Sequence, residues 1–156
     1  MSKSAFQALV AQVTSTIAGH AVESSLRDLL QASFPPEGPV FAAIEAACHQ
    51  GVAEGWMCER EHGGIRYGRV VEATPDLAGY SIDVVRMSDV AGPHHRHPAG
   101  EIDMVMPITA TAQFDGAAKG WVVYGPDSAH RPTVTGGAAL VLYLLPGGQI
   151  DFTRSK

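Results

Sequence analysis

The 156-residue chain has a formal charge of −5, 46% hydrophobic residues and 17% charged residues, the balance of an ordinary globular domain. Its acidic excess argues against an electrostatic grip on nucleic acid or an anionic membrane. No apolar run approaches the roughly 20 residues that a bilayer-spanning helix needs, and Cys48 and Cys58 are too few for a disulfide scaffold and too widely spaced for a CxxC pair. The expectation is a soluble, cytoplasmic protein with reduced thiols.

Phe6, Leu9, Val10, Val13 and Ile17 recur at steps of three and four, which puts them on one face of a helix. Gln7, Gln12, Thr14, Ser15 and Thr16 interrupt the apolar run, so the segment reads better as an amphipathic helix than as a signal peptide. Leu26, Leu29, Leu30 and Phe34 predict a second helix, stopped by Pro35-Pro36. Val40, Phe41, Ile44, Ala47, Cys48 and Val52 predict a third, ending between Gly51 and Gly55.

From Trp56 the pattern changes to short β-type runs separated by Gly, Pro and Asp. Runs are expected over 56–61, 65–73, 80–90, 101–112, 121–124, 138–145 and 149–153, with turns at Gly63-Gly64, Pro75-Asp76 and Asp115-Gly116. A series of short strands with no helix between them predicts an antiparallel barrel or sandwich. The chain is therefore expected to be mainly β and one compact domain, with a helical N-terminal segment over 1–55 packed on a barrel over 56–156. The apolar faces of the helices must be buried on that barrel or in a subunit contact, and a homodimer is expected.

The chemistry concentrates in Gly92-Pro93-His94-His95-Arg96-His97-Pro98-Ala99-Gly100-Glu101. Residues two apart on a strand share a side, so His95 and His97 project into the same space. Pro98 to Gly100 can turn the chain and bring Glu101 back from a neighbouring strand. His130 follows after a hairpin, within Gly125-Pro126-Asp127-Ser128-Ala129-His130. Three imidazoles and one carboxylate suit one divalent ion (iron, manganese, nickel or zinc) with positions left open for substrate or water. His94 has the opposite parity, and His20, His49 and His62 have no matching partners. Asp103 shares the parity of Glu101, making it a candidate proton relay or a carboxylate that orients a histidine.

The segment His95-Arg96-His97-Pro98-Ala99-Gly100-Glu101 resembles the first motif of the cupin superfamily, HxHxxxE, and His130 matches the histidine of its second motif. The resemblance implies a jelly-roll fold, the cupin-type double-stranded β-helix, with these four residues as metal ligands. Ile108 stands where the first motif usually has glycine, and Val134 where the second has asparagine. Length, helical front section and the segment GPHHRHPAGEIDMV also look like the 4-hydroxylaminobenzoate lyase family. That likeness implies a metal-dependent lyase acting on a small aromatic substrate, giving 3,4-dihydroxybenzoate and ammonia. The alternatives are a non-haem Fe(II) dioxygenase of a small aromatic or diketone substrate, and a cupin that binds metal or ligand without catalysis.

A benzoate requires a cation for its carboxylate and apolar walls for its ring. Arg66, Arg69, Arg86 and Arg131 are candidates for the first, and Tyr80, Trp121, Tyr124 and Tyr143 for the second. Without strand register, parity alone does not say which of them face inward.

Overall fold

The computed structural model describes residues 1–153; residues 154–156, the end of the expected barrel, lie outside them. Three helices come first: α1 (Lys3–Ile17), α2 (Ser24–Ser33) and α3 (Pro39–Glu54). Each begins and ends for a local reason. The Ser2 side chain accepts a hydrogen bond from the backbone N–H of Ala5 at the start of α1. Pro39 occupies the first turn of α3, and Gly55, at φ 84°, ends it. No helix among the described residues is long and apolar enough to cross a membrane.

Ten strands follow: β1 (Arg60–His62), β2 (Ile65–Val71), β3 (Tyr80–Ala91), β4 (His95–His97), β5 (Glu101–Pro107), β6 (Gln113–Phe114), β7 (Gly120–Tyr124), β8 (Ser128–His130), β9 (Thr133–Pro146) and β10 (Asp151–Phe152). All pairings are antiparallel. One sheet has the order β1-β2-β3-β9-β5-β7, with β6 also paired to β9; a smaller one has the order β10-β4-β8. The result is a mainly β, jelly-roll arrangement of two sheets, with no hydrogen-bonded path among the described residues closing the two into one cylinder. The long run expected over 101–112 divides into β5 and β6. The run expected to start at residue 138 begins at Thr133, and β8 is a strand that its three residues do not announce.

The large sheet is buried on both faces, which is why β5 and β9 read as continuous apolar runs and not as alternating ones. On one face Ile82 and Val84 of β3, Ile102, Met104 and Met106 of β5, and Leu140, Leu142 and Leu144 of β9 join the helices in a single core. Phe6, Val10, Val13 and Ile17 of α1 are buried there, so this helix's apolar face is satisfied within one chain. On the other face Val85 and Met87, Val105, and Ala139, Val141 and Tyr143 form a second cluster that looks toward the small sheet. Alternate residues of the same strands thus divide between a structural core and a functional interior.

Trp121 ties the helices to β7. Its indole N–H donates to Phe34 O at 2.8 Å, and its ring meets Phe41 edge-on at 5.8 Å. Cys48 and Cys58 are both unpaired and buried; burial, as the largest effect, pushes the Cys58 thiol up to about 11. Trp121→Ala is expected to lower unfolding stability by about 3–5 kcal/mol, measured by denaturant titration. Because Trp121 lies on the helix side of the sheet, metal content of the folded variant should match that of the unmodified protein.

Candidate metal centre

Three of the four predicted residues are presented by the small sheet. In the β4–β8 pairing His95 faces His130 and His97 faces Ser128, so strand parity and cross-strand register together gather the three imidazoles. Glu101 comes from the next strand, β5, which lies in the large sheet opposite. The reason is the Pro98-Ala99-Gly100 link, which carries the chain across from one sheet to the other. Gly100 has φ +95°, and a Cβ there would lie 2.7 Å from Val22 Cγ1 and 2.9 Å from Tyr124 O, so the crossing requires glycine.

The donor atoms of His95, His97, Glu101 and His130 all lie within 4.8 Å of one another. His95 Nε2 is 3.3 Å and His97 Nε2 3.2 Å from Glu101 Oε1, and His130 Nε2 is 3.6 Å from Glu101 Oε2. The Nε2 atoms of His95 and His130 are 3.1 Å apart. His95, His97 and Glu101 are fully buried, and His130 is partly so.

Hydrogen bonds on the far sides of two rings decide which nitrogen faces inward. Ser128 Oγ donates its single proton to Gly125 O at 2.6 Å, so it accepts from His97 Nδ1 at 2.9 Å. His130 Nδ1 donates to the Asp115 carboxylate at 2.6 Å. His97 Nε2 is thereby left to turn a lone pair toward Glu101 in the neutral ring, whereas a protonated His130 turns an N–H toward it. His97 Nε2 has no hydrogen-bond partner among the described residues, and neither has Glu101 Oε2. A lone pair 3.2 Å from a buried carboxylate is a repulsive contact until a cation sits between them. The residues therefore fit a metal: the His₃Glu cluster could hold one divalent ion.

Charge on these groups follows the same logic. Burial works to raise the Glu101 carboxyl, but the surrounding imidazoles outweigh it and hold the group well below the usual carboxylate range. Burial works against a charge on His130, yet Asp115 and Glu101 push its pKa up to about 9. Burial, and then the neighbouring Glu101 charge, keeps Asp103 well above the usual range. Asp103 is fully buried with neither oxygen hydrogen-bonded among the described residues.

Asp115 is the functional residue that sequence reasoning missed. Asp115-Gly116 is the expected turn, both residues with positive φ, closed by reciprocal backbone hydrogen bonds between Phe114 and Ala117. The same carboxylate accepts from His130 Nδ1, from the Tyr124 hydroxyl at 2.5 Å and from Thr133 N at 2.9 Å. Tyr124 in turn covers the rings of His130 and His97 at 4.5 and 5.4 Å. Asp-Gly marks a turn in any sequence; nothing in that dipeptide says that its side chain reaches a histidine 15 residues on. His94 stays outside the cluster, its ring nitrogen paired with the Thr153 hydroxyl, and His20 and His49 are exposed.

A cavity of about 620 Å³ reaches the cluster at His95. Register resolves the candidate substrate residues. Arg69 and Tyr143 line the cavity. Arg66 and Arg86 are paired with each other on the opposite parity, the side of Cys58, and Arg131 donates to Gly92 O. Tyr80 and Trp121 belong to the helix-side core.

Replacing Asp115 by Asn is expected to weaken metal binding by about 10–100-fold, the usual effect of removing a carboxylate behind a metal-bound histidine, read from titration with a metallochromic competitor. His130→Ala should abolish binding, and His94→Ala should leave it unchanged; loss in His94→Ala would shift the parity by one residue.

Comparison with known proteins places this geometry in context. The sequence profile described as PnbB, 4-hydroxylaminobenzoate lyase, matches residues 8–152. A 4-hydroxylaminobenzoate lyase of Nocardioides sp. (strain LMS-CY) is 33% identical over 86% of this chain and 83% of its own. One from Pseudomonas putida is 30% identical over 79% and 80%. Among solved structures, an RmlC-like cupin protein from Ralstonia eutropha JMP134 matches 55% of this chain and 57% of its own at 14% identity, with a TM-score of 0.41.

Proposed function

Because the chain belongs to the 4-hydroxylaminobenzoate lyase family, we propose that it converts 4-hydroxylaminobenzoate and water to 3,4-dihydroxybenzoate and ammonia. The atoms balance without an oxidant. One water enters, nitrogen leaves as ammonia, and cleavage of the N–O bond accounts for the two-electron oxidation of the ring. The observation that carries the reading is the convergence of three imidazole nitrogens on the buried Glu101 carboxylate at one end of a cavity large enough for an aromatic ring.

His95, His97, Glu101 and His130 would hold one divalent ion (iron, manganese, nickel or zinc), which would supply Lewis-acid polarisation and lower the pKa of water. The protein's own groups do the rest. Asp115 and Ser128 fix the ring orientations of His130 and His97. Asp103, on the same face of β5 as Glu101, buried and unpartnered among the described residues, is the proton relay that serves the departing oxygen. Tyr143, Ile65, Val85 and Phe152 wall the cavity and limit access of bulk water to an electrophilic ring.

Incubated with 4-hydroxylaminobenzoate under nitrogen, the metal-loaded protein is expected to release one ammonia per substrate consumed. Chelation should abolish this and any of several divalent ions restore it. Oxygen uptake matching substrate loss would instead mark a dioxygenase, and saturable binding with no turnover a non-catalytic cupin.

A further inference from the structure

We propose that Arg69 is the anion anchor of the cavity, holding the carboxylate of a para-substituted benzoate while the opposite end of the ring meets the His95–His97–Glu101–His130 cluster. This rests on the reading of the cavity as the substrate site. Strand register carries the argument. Asp103 of β5 pairs with Tyr143 of β9, Tyr143 with Asp83 of β3, and Asp83 with Arg69 of β2. These residues form one rank across the inner face of the large sheet, beginning beside the metal cluster. Neighbouring strands are about 4.8 Å apart, so Asp83 lies two spacings, about 10 Å, from the column of Asp103. That is the reach of one aromatic ring with a polar contact at each end.

The Arg69 guanidinium is already placed at that distance. It donates to the Asp83 carboxylate through Nε at 2.9 Å and Nη2 at 3.2 Å, and to Gly148 O at 3.1 Å. A β-bulge between Arg69 and Val71 shifts the register here, a device that re-aims a side chain beside a site. Gly148 makes room: a Cβ at that position would lie 2.7 Å from Arg69 Nη1. Asp83 and Gly148 hold Nε and Nη2, and the remaining nitrogen, Nη1, is engaged at 3.1 Å by Glu72, whose side chain is 81% exposed. So exposed a partner holds weakly. The substrate carboxylate takes the place of Glu72 on Nη1, leaving the Asp83 clamp intact. The other arginine lining the cavity, Arg60, stands on the exposed edge strand β1, one strand farther out.

Binding of two stable probes to the metal-loaded protein tests this by calorimetry: 4-aminobenzoate and its neutral counterpart 4-aminobenzamide. The unmodified protein should prefer the acid by about 10-fold or more. Arg69→Gln should erase that preference while its metal content and amide affinity stay unchanged, and Glu72→Gln should bind the acid as well as or better than the unmodified protein. The double variant Arg69→Gln/Asp83→Asn leaves no unpaired carboxylate at position 83; it should behave like Arg69→Gln and covers the case in which the single variant does not fold. An acid preference that survives in the folded variants, or an equal loss for both probes, would overturn the assignment. The readout needs no turnover, so failure to release ammonia would refute the proposed reaction and leave this result to be judged separately.

Discussion

Glu101 carries a negative charge where water does not reach, facing a nitrogen lone pair that the neutral His97 ring is obliged to turn toward it. An isolated buried carboxylate costs several kcal/mol, and here the customary remedy, a ring of hydrogen-bond donors, is only partly present. Ser128 and Asp115 claim the Nδ1 protons of His97 and His130. The interior is therefore short of positive charge by design of its outer hydrogen bonds. A proton on His130 relieves that shortage in one way and a divalent ion in a better one. The same groups that make the metal-free site uncomfortable are those that make it selective for a cation.

The rest of the fold serves to hold that arrangement still. The large sheet has one face sealed by α1, α2 and α3, apart from the cluster on the other face. This division lets Glu101, Asp103, Asp83 and Arg69 occupy inward positions of strands whose alternate residues, Ile102, Met104, Ile82 and Val70, are packed in the core. The small sheet contributes little burial of its own. Its β4–β8 pairing places His95 against His130, and the Gly100 crossing delivers Glu101 from the opposite side. Ligands from two sheets define a point between them more rigidly than ligands from one strand could.

What the sequence makes legible and what it hides divide along a physical line. Local periodicity and strand parity are properties of neighbouring residues. They were enough to find three helices, the HxH pair and the Glu101/Asp103 face. Relations between distant segments depend on register, which no short window contains. Arg69 was thus indistinguishable from Arg66 and Arg86, although only Arg69 lines the cavity, and Asp115 read as a turn residue alone. The β8 strand escaped notice because Ser128, Ala129 and His130 carry no β-type pattern; its existence is set by pairing with β4. The sheet from which Glu101 returns is hidden for a related reason. Pro98-Ala99-Gly100 signals a change of direction, but a sequence does not say into which sheet the chain turns.

The central claim is that a single cation sits among these four side chains. Anomalous diffraction at the absorption edge of the bound metal, from crystals of the loaded protein, tests it directly. The account predicts one strong peak within coordination distance of the Nε2 atoms of His95, His97 and His130 and of a Glu101 carboxylate oxygen. A peak elsewhere, or one that leaves Glu101 uncoordinated, would contradict it.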